Sequence, residues 1–124
     1  MTHIPLSVAI PTYRNGERLL ATLREIDKCV PAPAEILVYI DNSDHETHVL
    51  LKKDRPFVKV LLGHEHLGPG GGRNLLLDVA SSEIVVSFDD DSYPMDADFF
   101  AQAMRLAARF PEAGIIGARV FHPE

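Results

Sequence analysis

The stretch Ile84-Val85-Val86-Ser87-Phe88-Asp89-Asp90-Asp91-Ser92-Tyr93-Pro94 constrains the chain more than any other. Its β-branched, apolar start predicts a buried strand, and Pro94 predicts a break soon after. Between them stand three consecutive carboxylates. Adjacent acids repel one another, and each loses solvation wherever it is partly buried. A strand that delivers three of them to its lip is best explained by a cation placed there. On an extended segment, positions i and i+2 point the same way. Asp89 and Asp91 therefore form a pair suited to Mg2+ or Mn2+, with Asp90 turned elsewhere. Such ions are commonly held by one or two carboxylates plus the oxygens of a substrate phosphate. The competing expectation is a solvated turn that caps the next helix, a duty Asp96 is already placed to perform.

The rest of the chain predicts a frame for that strand. Residues 6–10 read as a first strand cut off by Pro11, and Pro11-Thr12-Tyr13-Arg14-Asn15-Gly16 as the loop after it. A helix follows over 17–29, capped by Asn15 or Gly16, with Leu19, Leu23, Ile26 and Val30 on one face. Residues 35–40 form a second strand, apolar nearly throughout, as in a sheet covered on both faces. It ends at Asp41-Asn42-Ser43-Asp44. Ser43 and Glu46 have capping-box spacing and predict a helix over 44–53. A third strand spans 57–62, a glycine-rich loop 63–72 and a helix 73–80, with Leu75, Leu76 and Val79 apolar. After the acidic strand, a helix is expected over 98–109 along Phe99, Ala103, Leu106 and Phe110. A last strand is expected over 113–121.

Strand and helix alternate throughout, which predicts one α/β domain over 1–124: a Rossmann-like, mostly parallel sheet with helices on both faces. In such sheets ligands bind outside the carboxyl ends of the strands. Those ends carry Pro11-Thr12-Tyr13, Asp41-Asn42-Ser43 and Asp89-Asp90-Asp91, and right-handed crossovers put all three on one edge.

Composition excludes several classes. The formal charge of −6 argues against a nucleic-acid binder that relies on a broad basic surface. The single Cys29 has no partner for a disulfide, so a reducing cytoplasm is the expected compartment. No apolar run approaches the roughly 18–20 residues of a membrane span. The first residues lack the basic and apolar regions of a signal peptide.

Individual motifs remain ambiguous. Asp41 suits either a hydrogen bond from a base or ribose, or an Asx turn. Gly68-Pro69-Gly70-Gly71-Gly72-Arg73-Asn74 allows close backbone approach to a ligand, with Arg73 near phosphate, or is a flexible connector. It is neither a Walker A loop nor a GxGxxG. His64-x-His66 lacks further ligands at zinc spacing. No Gly-x-Ser-x-Gly or Cys/His nucleophile arrangement is present. A phosphoacceptor receiver domain would need an Asp after strand three and a Lys after strand five, and this chain has neither.

In combination the motifs are more specific. Val8-Ala9-Ile10-Pro11-Thr12-Tyr13-Arg14-Asn15, Ile40-Asp41-Asn42-Ser43, Gly70-Gly71-Gly72-Arg73-Asn74 and Phe88-Asp89-Asp90-Asp91 stand in order at the strand ends. Together they resemble the inverting family 2 glycosyltransferases of GT-A fold. Asp41 stands alone where many members have two acids, and Arg14 replaces a frequent Asn. The resemblance implies a donor site for a nucleotide-diphospho-sugar, typically UDP-linked, with Mn2+ or Mg2+. Pro11, Thr12 and Tyr13 would line the base pocket, and Asp41 would contact the base. Arg73 would lie near base or diphosphate, Asp89 and Asp90 near ribose and metal, and Asp91 would be the direct metal ligand. In the family, an acceptor-binding half follows and carries the catalytic base. This chain stops at Glu124, so the resemblance implies the nucleotide-binding half alone, with the acceptor unspecified. An exposed apolar face and self-association are then expected. The alternative is a non-catalytic nucleotide-sugar-binding or interaction module of the same fold.

Overall fold

In the computed structural model, which describes residues 3–122, strands and helices alternate. They are β1 (His3–Thr12), α1 (Gly16–Asp27), β2 (Ala32–Ile40), α2 (His45–Asp54), β3 (Lys59–Leu62), α3 (Gly68–Val79), β4 (Ile84–Ser87) and α4 (Phe99–Arg109). The four strands form one sheet in the order β3-β2-β1-β4, with every pairing parallel. The expected α/β architecture is therefore the observed one, and β1 lies between the two other chemistry-bearing strands.

The period of two along the strands builds two cores. Leu6, Val8 and Ile10 of β1 and Val38 and Ile40 of β2 face α1, α2 and α4, where they meet Leu19, Leu23, Ile26, Leu51 and Phe100. Ala9, Leu37 and Tyr39 face the other way, onto Leu76 of α3. Each fully buried aliphatic side chain contributes about 1.5–3 kcal/mol relative to exposure. The first core is far larger, so it anchors the sheet, and α3 rests on the lighter side.

Several boundaries differ from those expected. Pro11 does not end β1, which runs on to Thr12 opposite Ile40. Ala9 accepts from Phe88 N on the β4 side, so Pro11, two residues on, faces that side as well. Pairing with β4 ends at Ala9, so the missing N–H removes no ladder bond. Helix α1 stops at Asp27, and Val30 is exposed rather than on its apolar face. The N-cap of α2 is Asp44, not Ser43: its carboxylate accepts from Thr47 N at 3.3 Å. In α3 only Leu76 of the three expected apolar residues is buried. In α4 the buried residue is Phe100, while Leu106 and Phe110 are largely exposed.

Two differences are larger. The stretch from Gly68 to Gly72 is helical rather than a loop, so α3 starts five residues before Arg73. Pro69 sits in the first turn, where its absent N–H costs nothing. The expected last strand is not formed: residues 114–122 join no sheet and are exposed, Ile115 at 93%. A strand is made by its ladder, and among the described residues no partner lies alongside this segment.

Candidate functional site

The carboxyl ends of β1, β2 and β4 meet, as parallel pairing requires. Thr12 links all three. Its carbonyl accepts from Asp41 N at 3.0 Å, and its hydroxyl donates to Asp90 Oδ2 at 2.9 Å. Asn15 Nδ2 donates to the other oxygen of Asp90 at 3.0 Å, and Thr22 donates to its carbonyl at 2.8 Å. Asn15 is the N-cap residue of α1, but its side chain makes no cap bond there. Asp90 is thus tied to β1 and α1, whereas its neighbours point outward.

Asp89 pairs with Arg73 Nη2, and Arg73 Nε donates to Ser87 at 2.7 Å. The Arg73 side chain is 32% exposed, so this ion pair can be reached from solvent. Asp91 is exposed and takes no side-chain hydrogen bond among the described residues. No group of three or more His, Cys, Asp or Glu converges to hold a metal among the described residues. A divalent ion held mainly by a diphosphate needs only one or two protein carboxylates, and the exposed, unbonded Asp91 leaves one open to it.

Asp41 is the most enclosed acid of the edge, 3% exposed. Its carboxylate accepts from Leu67 N at 2.9 Å, Gly68 N at 3.1 Å and the Tyr39 hydroxyl at 3.2 Å. His66 Nδ1 lies 2.8 Å from it. Burial pushes its pKa up, but the two backbone bonds, Tyr39 and His66 outweigh that, and the net direction is down. Asp41 also supplies the α3 N-terminus with the side-chain acceptor that Leu67, the residue at the cap, lacks.

Tyr39 reaches Asp41 only because glycine stands on both sides of it. A Cβ at Gly63 would lie 1.9 Å from the Tyr39 oxygen, and one at Gly72 would lie 2.6 Å from its Cδ2. Gly72 directly precedes Arg73, so this packing sets where Arg73 leaves the helix.

Tyr13 projects beyond β1, its ring centroid 5.7 Å from that of His66, with Arg14 stacked at 5.1 Å. Asn42 Nδ2 donates to its hydroxyl at 3.4 Å. Arg14, Asn42 and Ser43 all have positive φ, at 51°, 49° and 54°. Such backbone carries a cost of order 1–3 kcal/mol at a non-glycine residue and concentrates where loops are held for function. Asp44 helps hold it: its carboxylate accepts from Arg14 N at 2.6 Å as well as from Thr47. A cleft of about 640 Å³ opens beyond Tyr13, between the starts of α1 and α2, and of the expected site residues only Tyr13 borders it.

The structure therefore brings Pro11, Thr12, Tyr13, Asp41, Arg73, Asp89, Asp90 and Asp91 to one edge of the sheet. Sequence reasoning missed His66, Tyr39 and Asn15. The His64-x-His66 spacing points only to zinc, and the approach of His66 to Asp41 exists only once α3 docks on β2. The remaining ionisable candidate, Cys29, is buried behind α1, and burial together with Glu25 raises its thiol pKa, so it is no nucleophile for this edge.

Comparison with known proteins agrees with this geometry. The chain is 36% identical over 90 residues to the GalNAc(5)-diNAcBac-PP-undecaprenol beta-1,3-glucosyltransferase of Campylobacter jejuni, a match over 69% of this chain and 29% of that protein. The mannosyltransferase PcManGT from Pyrobaculum calidifontis, in complex with GDP-Man and Mn2+, superposes with a TM-score of 0.72 at 24% identity, over 84% of this chain and 32% of that one. S. aureus TarS 1-349 in complex with UDP-GlcNAc gives 0.68 at 23%, over 87% and 32%. The fold is that of the GT-A glycosyltransferases. The chain spans about a third or less of the length of these proteins. The family model for glycosyl transferase family 2 matches residues 7–124, and the chain belongs to that family.

Proposed function

We propose that the chain is the donor-binding half of a glycosyltransferase domain. It binds a nucleotide-diphospho-sugar, UDP-linked by preference, with Mn2+ or Mg2+, in an enzyme that passes the sugar to a hydroxyl acceptor. The observation that carries this reading is the convergence of Tyr13, Asp41, Arg73 and the acid triplet on one sheet edge. The GDP-Man and UDP-GlcNAc complexes of the structural relatives lend it support.

The residues divide the work. The Tyr13 ring offers a stacking face, with Pro11 and Thr12 forming the floor behind it, and Asp41 accepts a base N–H. Arg73 exchanges its Asp89 partner for the diphosphate, a bidentate match for a guanidinium. Asp90 holds the turn in shape from within. Asp89 and Asp91 would hold the metal, which when bound neutralises charge on the departing diphosphate. None of these residues takes the acceptor's proton, and that role belongs to the acceptor-binding half. The free Cys29 suits a reducing cytoplasm.

Calorimetric titration with UDP, GDP and dTDP, with and without Mn2+, tests the assignment. UDP should bind most tightly. Mn2+ should strengthen it at least about tenfold, or 1.4 kcal/mol, and Asp91→Ala should remove that gain. Metal-independent binding untouched by Asp91→Ala would instead indicate a non-catalytic module of the same fold. Ile115, Ile116, Val120 and Phe121 remain exposed, so we also infer self-association through this segment; sedimentation at rising concentration that stays monomeric would count against it.

A further inference from the structure

An ionised carboxylate offers about four acceptor positions, and in Asp41 three are taken by hydrogen bonds. Oδ1 receives the Tyr39 hydroxyl and Leu67 N, Oδ2 receives Gly68 N, and His66 Nδ1 stands 2.8 Å from Oδ2. These three donors are built into the fold. Tyr39 is 1% exposed, and the two N–H groups open α3. The fourth neighbour, His66, is different in kind. The His66 side chain is 66% exposed and belongs to neither core.

The His66 ring also lies against Tyr13, at 5.7 Å between centroids and 59° between planes. One imidazole thus sets a ring nitrogen 2.8 Å from Asp41 and a ring beside Tyr13 at the same time. These are the two contacts that the donor-site reading assigns to a nucleobase. The backbone around it is fixed independently, since Asn42 N donates to the Glu65 carbonyl at 3.2 Å and Leu67 N to Asp41. Moving the imidazole therefore needs only side-chain rotation, which is fast for an exposed residue.

We propose that His66 occupies the nucleobase position and that a nucleotide binds by displacing it, an inference that rests on the donor-site reading above. It also defines the ligand's base. The newcomer must be flat and must offer the Asp41 carboxylate a ring N–H in place of the imidazole. Uracil, thymine and guanine carry one on their pairing edge. Cytosine and adenine present a ring-nitrogen lone pair there, which the Asp41 carboxylate repels.

A resident competitor lowers apparent affinity by the fraction of time the site is free. His66→Ala should therefore bind UDP about three- to tenfold more tightly than the unaltered chain, the factor for a ring docked about two-thirds to nine-tenths of the time. Calorimetric titration of both proteins with UDP measures this difference. In histidine-labelled protein, UDP should shift the His66 ring resonances at the same saturation point. Binding that His66→Ala leaves equal or weakens overturns the displacement alone. CDP and ADP binding as tightly as UDP and GDP overturns the base selection. If neither protein binds any nucleotide, the donor-site reading falls, and the displacement with it.

Discussion

Glu35 stands at the amino end of the sheet, and its carboxylate gathers three elements. It accepts from Ser7 of β1 at 2.6 Å, from Lys59 of β3 at 2.7 Å and from Ser81 N before β4 at 2.7 Å. Its side chain is 6% exposed. Burial raises its pKa, but the Lys59, Ser7 and Ser81 bonds more than reverse this, taking it from 4.5 to about 2. A carboxylate depressed in the folded state stabilises fully above its unfolded pKa and loses that contribution as pH falls through the folded value. The window is therefore about pH 4.5 down to 2, and Asp41 and Asp44, both shifted down, act in the same sense. The shift corresponds to about 3 kcal/mol. Lys59 is 64% exposed, and solvent screening trims its share, so Glu35→Gln should cost about 1–3 kcal/mol at neutral pH. Urea midpoints taken from pH 7 to pH 3 should fall less steeply for this variant than for the unaltered chain.

Helix α3 is where local and tertiary preferences conflict. Gly68-Pro69-Gly70-Gly71-Gly72 has poor helix propensity, and Pro69 in the first turn is the one start signal within it. The missing cap comes from Asp41, 27 residues earlier than Gly68, so the helix becomes readable only after β2 is placed beneath it. The strands were readable because an apolar run states its own burial: β2 and β4 lie where expected. The strand expected over 113–121 had the same apolar character, but pairing is a property of two segments and cannot be read from one. The site followed the same division. Its strand-end residues were readable from position, whereas His66 and Tyr39 act through contacts that only α3 docking creates. Glycine substitutions separate the two kinds of helical glycine. Gly70→Ala meets nothing within 4 Å and should stabilise by about 0.4–1 kcal/mol. Gly72→Ala would press on the buried Tyr39 ring and should destabilise by about 1–3 kcal/mol, visible as melting temperatures that move in opposite directions.

Across the whole molecule, the parallel sheet sorts residues by the direction of its strands. Glu35 and its partners lie at the amino edge, and Tyr13, Asp41 and the acid triplet lie at the carboxyl edge. Asp41 lies six positions along the chain from Glu35, roughly 20 Å at the rise of a strand. Sites so far apart, with no shared partner, contribute additively. Resistance to acid and recognition of a ligand are thus adjustable independently. Glu35→Gln should leave UDP affinity unchanged above pH 6 while it weakens the fold, and the opposite edge can be altered for a different base without drawing on the knot that keeps the strands together.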